Sequence, residues 1–196
     1  MLPWAIAVAF LAALVYTQWP RPAAPERQMR FEVRLGDEDV LIDENLDGPI
    51  AVLSPDGGTI VYLGSTGPAQ RLYSRPLDRL ESQAIPGTEG ARQHFFSPDG
   101  QSVAFFANGN LMKVPIADGA ATPIAPALDA RGGTWGPDGT IVFSAATATG
   151  LSRVPDTGGT SSELTTLGPN ERTHRWPWFL PGGKAVKKSK KEKAAK

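Results

Sequence analysis

A short segment recurs four times in this 196-residue chain, and its spacing limits what the chain can fold into. Leu53-Ser54-Pro55-Asp56-Gly57-Gly58-Thr59-Ile60-Val61-Tyr62 is matched by Phe96-Ser97-Pro98-Asp99-Gly100-Gln101-Ser102-Val103-Ala104-Phe105. A third copy is Trp135-Gly136-Pro137-Asp138-Gly139-Thr140-Ile141-Val142-Phe143, and a fourth is Phe179-Leu180-Pro181-Gly182-Gly183-Lys184-Ala185-Val186. The prolines stand 43, 39 and 44 residues apart.

Each copy reads as a tight turn between two strands. Proline presets φ at the first central position of a turn, and aspartate suits the next because its side chain bonds nearby backbone. Glycine takes the left-handed position that closes a hairpin with a bulge. The residues after the turn alternate and are aromatic or β-branched, as in Ile60-Val61-Tyr62 and Ile141-Val142-Phe143. The turn residues Pro55, Asp56, Gly57, Pro98, Asp99, Gly100, Pro137, Asp138, Gly139, Pro181, Gly182 and Gly183 are therefore structural, and the aspartates are turn-formers rather than catalysts.

A second pattern recurs between the turns. Arg71–Asp78 matches Asn110–Ala117, and Gly150–Pro155 matches both, each reading as a third strand. Fourth strands end at Ala84-Ile85-Pro86, Thr122-Pro123-Ile124 and Glu163-Leu164-Thr165. Helical periodicity is absent after residue 30. Four short strands per period of this length describe a propeller blade. The expected fold is all-β: a partial β-propeller of about three to four blades over residues 31–186, behind an N-terminal transmembrane helix.

That helix is expected at residues 1–20, which contain no charged side chain. Trp4, Tyr16 and Trp19 stand near its ends, where interfacial aromatics belong. A cleaved signal peptide is the rival reading, but the basic start it requires is missing. Residues 21–30, PRPAAPERQMR from Pro20, form a Pro-rich linker. The net charge of zero conceals an asymmetry. Residues 1–183 carry 13 basic and 19 acidic side chains, a charge of −6, and residues 184–196 carry seven basic and one acidic, a charge of +6. The acidic body argues against specific nucleic-acid binding, and residues 187–196 read as a disordered lysine-rich tail. The chain has no cysteine, which excludes disulfides, zinc-thiolate sites and a cysteine nucleophile.

The hairpin S-P-D-G-x-x-[VI]-[AV]-[FY], followed by L-[YM]-x-[RKV]-x-[LIV], resembles the WD40-like PD40 repeat of TolB-type β-propellers. Arg30–Leu35, Ile85–Ala91, Phe95–Gly100 and Thr173–Pro177 resemble the sensor part of bacterial membrane serine/threonine kinases. In that family a cytoplasmic kinase domain precedes one membrane helix, and a propeller follows outside. The resemblance covers about residues 1–186. It implies a single-pass bacterial membrane protein with its propeller on the extracytoplasmic side, although Arg21, Arg27, Arg30 and Arg34 after the apolar segment favour the opposite orientation. No kinase motif is present: His174-Arg175-Trp176 is not H-R-D, there is no D-F-G, and Ala24-Pro25-Glu26 lies in the linker. The blades are fewer than such propellers use, and the fourth hairpin runs into lysines, as expected of a truncated or frame-shifted gene. The unsatisfied face of the last blade predicts marginal stability or self-association.

No catalytic residue, cofactor or metal is expected. Gly64-Ser65-Thr66-Gly67 lacks the spacing of a nucleophile elbow. Asp43–Gly48 matches the start of a calcium loop but has Ser54 where the bidentate glutamate belongs, so it reads as an acidic loop. His94 and His174 read as packing or hydrogen-bonding residues. Trp135, Trp176 and Trp178 read first as core. The alternative is a binding rim of Arg131, Trp135, His174, Arg175 and Trp176 that contacts a protein, or a small acidic or peptide ligand. The expected function is a non-enzymatic membrane-anchored binding module. The propeller half of an S9-type peptidase without its hydrolase domain is the other reading, and a gene fragment without function is a third.

Overall fold

A computed structural model describes residues 48–65 and 70–192, with side chains through 65 and from 70 to 189. The segment expected to cross the membrane and the linker both lie outside the described residues. No helix among the described residues is long and apolar enough to cross a membrane.

All the regular structure described is strand. The first sheet contains β1 (Ala51–Leu53), β2 (Thr59–Ser65), β3 (Gln70–Pro76) and β4 (Gln83–Ala84). The second contains β5 (Arg92–Phe96), β6 (Ser102–Ala107), β7 (Asn110–Pro115) and β8 (Thr122–Pro126). The third contains β9 (Gly133–Trp135), β10 (Thr140–Phe143), β11 (Ser152–Pro155) and β12 (Ser162–Glu163). Each is an antiparallel meander paired in sequence order. The predicted third and fourth strands are found as β3, β7 and β11 and as β4, β8 and β12. The fourth copy forms a hairpin, β13 (Glu171–Phe179) with β14 (Val186–Glu192). The first strands of successive sheets, β1, β5, β9 and β13, are neighbours. The sheets therefore fan out from one line of inner strands, as propeller blades do.

Strand alternation explains the stacking. Val103, Phe105 and Ala107 of β6 face one way, into a core with Val61, Leu63, Leu72 and Ile85 of the first blade. Ala104 and Phe106 face the other way, into a core with Ile141, Phe143 and Val154 of the third. With both faces covered, β6 reads as an unbroken apolar run rather than an alternating one. Burying a large aliphatic or aromatic side chain contributes about 1.5–3 kcal/mol, so these inter-blade faces carry most of the stability.

The turns have the predicted chemistry. Gly57, Gly100 and Gly139 have φ of +72°, +71° and +80°. In the second copy, the Ser97 hydroxyl donates to Asp99 Oδ1 at 2.6 Å and accepts from the Ser102 amide at 2.9 Å, and Asp99 accepts from the Gln101 amide at 3.0 Å. The first copy repeats this with Ser54, Asp56, Gly58 and Thr59. These bonds hold the carboxyls of Asp56 and Asp99 below the ordinary carboxylate range, the serine hydroxyl being the largest cause. Asp138 is also lowered, chiefly by the Thr140 amide. The third copy has Gly136 where the first two have serine, and a Cβ there would stand 2.7 Å from Phe179 Cζ.

One expectation is corrected. The tail expected to be disordered from residue 187 continues as β14 to Glu192, so the last hairpin extends beyond residue 186. The register Phe179↔Val186, Trp178↔Lys187 and Arg175↔Ser189 explains why. Ladder pairing uses backbone groups, which lysine supplies as well as valine, and lysine suits a strand with an exposed edge.

Replacing Ser97 with alanine removes a buried hydroxyl that serves two partners and is expected to cost about 1–2 kcal/mol in denaturant unfolding. Gly136→Ser, which restores the repeat consensus, is expected to destabilise rather than stabilise, because Phe179 occupies the space the side chain needs. Equal stability of Gly136→Ser and the parent chain would refute this packing account.

Candidate functional site

The inner strands carry a feature the repeat pattern does not reveal. Five residues before each turn proline from the second copy on, the backbone is left-handed: Gln93 at φ +52°, Gly132 at +88° and Trp176 at +52°. The first and third of these pay a steric cost of about 1–2 kcal/mol that glycine does not. They interrupt their ladders as bulges, seen as register shifts between Arg92 and Phe95 and between Arg175 and Trp178.

The three positions meet. The Gln93 side-chain carbonyl accepts from the Gly132 amide at 2.9 Å, in a buried setting. The Trp176 amide donates to the Arg131 carbonyl at 2.9 Å. The Trp176 indole lies over Gly132, where a Cβ would be 2.5 Å from its Cε3. It also reaches Gly48 at the head of the first blade, where a Cβ would be 3.1 Å from Cη2 and 3.0 Å from Gln93 Cγ. The strain at Gln93 and Trp176 is thus offset by contacts that tie three blades and the head of the first together at their inner ends. Beside them, Arg131 pairs with Asp129 at 2.7 Å and remains partly accessible. With Arg92 and Asn108 it lines a recess of about 230 Å³ between the second blade and the connection that leads to the third.

The other expected rim residues are placed apart. Trp135 stands at the turn end of β9, packed against the core of the second and third blades, with the Lys113 ammonium 5.7 Å from its ring centre. It fits the core reading and does not join Trp176. Trp178 is 69 % exposed and does not pack as core. Arg175 is half-buried. His174 is fully buried, so it is not part of an exposed rim. Its Nδ1 accepts from the Thr165 hydroxyl at 2.7 Å, and its Nε2–H donates to Glu171 Oε2 at 2.7 Å. Thr165 Oγ1 also accepts from the Leu151 amide, and Glu171 Oε2 from the Gly168 amide, so the cluster clamps the last hairpin to the third blade. The Lys188 ammonium sits against the same ring, 2.8 Å from Nε2.

His94 is the second buried histidine. Its Nε2–H donates to the Val61 carbonyl at 3.0 Å, joining the first two blades. Desolvation lowers its pKa from 6.5 to about 4, so the ring is neutral at ordinary pH. Both histidines are hydrogen-bonding core residues, as the sequence suggests. Asp43–Asp47 of the acidic loop lie outside the described residues.

The sequence matches no family model and no curated protein. Solved structures do match in fold. TolB from Acinetobacter baumannii superposes with a TM-score of 0.61 at 19% identity, over 74% of this chain and 38% of that one. A protein described as a TolB from Agrobacterium tumefaciens gives 0.62 at 19% identity, over 76% and 59%. An oligogalacturonate lyase from Vibrio parahaemolyticus gives 0.57 at 16% identity, over 74% and 47%. The fold is therefore that of TolB-like β-propellers, and this chain spans between about two fifths and three fifths of the length of those proteins. The similar folds include both TolB and a lyase, so the fold leaves enzymatic activity undecided.

Gly132→Ala places a Cβ into the Trp176 indole at a left-handed φ and is expected to cost about 2–4 kcal/mol, read by urea unfolding. The histidine predicts a pH dependence. The unfolded ring binds its proton near pH 6.5 and the folded ring near 4. Stability is therefore expected to fall by roughly 3 kcal/mol as pH drops through that window and then to level off for this group. The turn aspartates, with lowered folded values, add a further loss only as pH falls below about 3.8. His94→Gln keeps a donor for Val61 and should flatten the first window alone. An unchanged slope between pH 6.5 and 4 in that variant would overturn the assignment.

Proposed function

We propose that this chain is a non-enzymatic binding module held at a bacterial membrane by residues 1–20, with its blades outside the cytoplasm. It would serve in the manner of the sensor region of a receptor kinase and engage a protein or small ligand at the inner-strand ends. The observation that carries the reading is the convergence of Gln93, Gly132 and Trp176, with the partly accessible Arg131 beside them. Backbone strain held by contacts between blades at one end of a fold accompanies functional sites. A partly accessible guanidinium suits acidic or peptide ligands.

The polar groups of the repeats support a binding role over a chemical one. The three turn aspartates are engaged by their own backbone, and His94 is sealed in the core. The apolar, uncharged start of the chain supports anchoring. The resemblance to receptor-kinase sensors and the TolB-like fold support the propeller's role as a recognition surface.

The test uses alkaline-washed bacterial membranes containing the full chain. A photo-crosslinking p-benzoylphenylalanine is placed at Arg131, or at the 90 % exposed Leu80 as a control. The expected result is retention in the membrane and a discrete adduct from position 131 that is absent from position 80 and lost with Trp176→Ala. Release of the chain by alkali refutes the anchor. Identical adduct patterns from both positions, or none from 131, refute the binding site.

A further inference from the structure

The fourth hairpin departs from the repeat at one position with a physical consequence. Aligned on the turn bonds Ser54 N–H to Thr59 O, Ser97 N–H to Ser102 O, Gly136 N–H to Thr140 O and Leu180 N–H to Ala185 O, Lys188 takes the place of Tyr62, Phe105 and Phe143. Those three rings are fully buried. A lysine occupies less volume there, and its charge must find water or an anion. Beside it, between the third blade and the last hairpin, lies a cleft of about 400 Å³.

The walls of the cleft specify a chemistry. Val142, Leu151, Leu164, Phe179 and Val186 line it with apolar surface. Arg153, Lys184 and Lys188 bring three positive charges, against the single carboxylate of Asp138. That carboxylate is engaged by the Thr140 amide and hydroxyl at 3.0 and 3.1 Å. The Lys188 ammonium sits within 3.2 Å of both His174 ring nitrogens. The Glu171 carboxylate lies 2.7 Å from the same Nε2, so the ammonium shares the His174 ring with it. Among the described residues no carboxylate pairs with Lys188. An apolar cleft of this size, lined by three cations against one carboxylate already engaged by its own turn, is built like a small-ligand site.

We propose that this cleft binds a small aliphatic carboxylate. The carboxylate meets Lys188 with Arg153 nearby, and the chain lies along Leu151, Leu164 and Phe179. The ligand supplies the apolar volume that an aromatic ring supplies in the other blades and an anion for the cations that line the cleft. This site is separate from the inner-strand ends and does not depend on the reading given for them.

The experiment is calorimetric titration of the full chain with hexanoate, and with hexanol and inorganic phosphate in parallel. Hexanoate is expected to bind saturably, hexanol at least tenfold more weakly, and phosphate without saturation. In Lys188→Met, which restores an apolar side chain of similar length, hexanoate is expected to bind at least tenfold more weakly while the thermal midpoint stays equal or rises. Leu164→Trp narrows the cleft from a partly exposed position and is expected to weaken hexanoate without altering the fold. Absence of saturable hexanoate binding to the parent chain overturns the proposal. So does undiminished binding in Lys188→Met, or equal affinity for hexanoate and hexanol.

Discussion

Each sheet in this protein has two apolar faces and only one thickness of strand, so no blade can satisfy itself. β6 shows the constraint most plainly: Phe105 enters the core shared with the first blade and Phe106, the next residue, enters the core shared with the third. Moving its register by one residue would exchange these two cores, so the alternation fixes both the stacking and the pairing. Everything else in the architecture serves this stacking. The inner strands lie side by side because the blades they belong to must press face to face.

The turns hold the hairpins in the register that this stacking needs. Serine and aspartate form a small local set of hydrogen bonds, around a left-handed glycine, that ties one aspartate oxygen to its own turn. The same local device appears in the first two copies. It is altered in the third because a neighbouring blade intrudes: Phe179 of the last hairpin takes the space of the missing serine side chain. The departure from consensus at Gly136 is thus a record of packing between copies.

The last hairpin follows the repeat in its backbone and leaves it in its side chains. It pairs, turns and docks like the others, with His174 clamped to Thr165 and Glu171 where the second and third blades place the small buried Ala91 and Ala130. Lys188 at a core position opens a cleft beside this cluster. A polar network and a cavity therefore occupy the face that between the other blades is mainly a hydrophobic contact, which is why the two ends of the blade stack differ in chemistry.

The sequence by itself determined the strands, turns and blade count. Alternating apolar residues and Pro-Asp-Gly turns act within a few residues of themselves, and their recurrence at a nearly constant spacing made the propeller-like repeat legible. It also pointed to the repeat aspartates as turn-formers and to His94 as a packing or hydrogen-bonding group, while it left His174 between core and rim. Only the tertiary structure decided which residues meet. Gln93, Gly132 and Trp176 share no chemistry, so nothing in their identities announces that all three are left-handed and converge. The sequence grouped Trp135 with Trp176, but these sit three residues apart relative to their own turns, at different heights on the inner strands, and only Trp176 reaches Gly132. The lysines after Ala185 read as a disordered tail because side-chain patterning sees charge. The fold pairs them because backbone hydrogen bonds to β13 are indifferent to that charge, and the neighbouring blade is already in place to receive the strand.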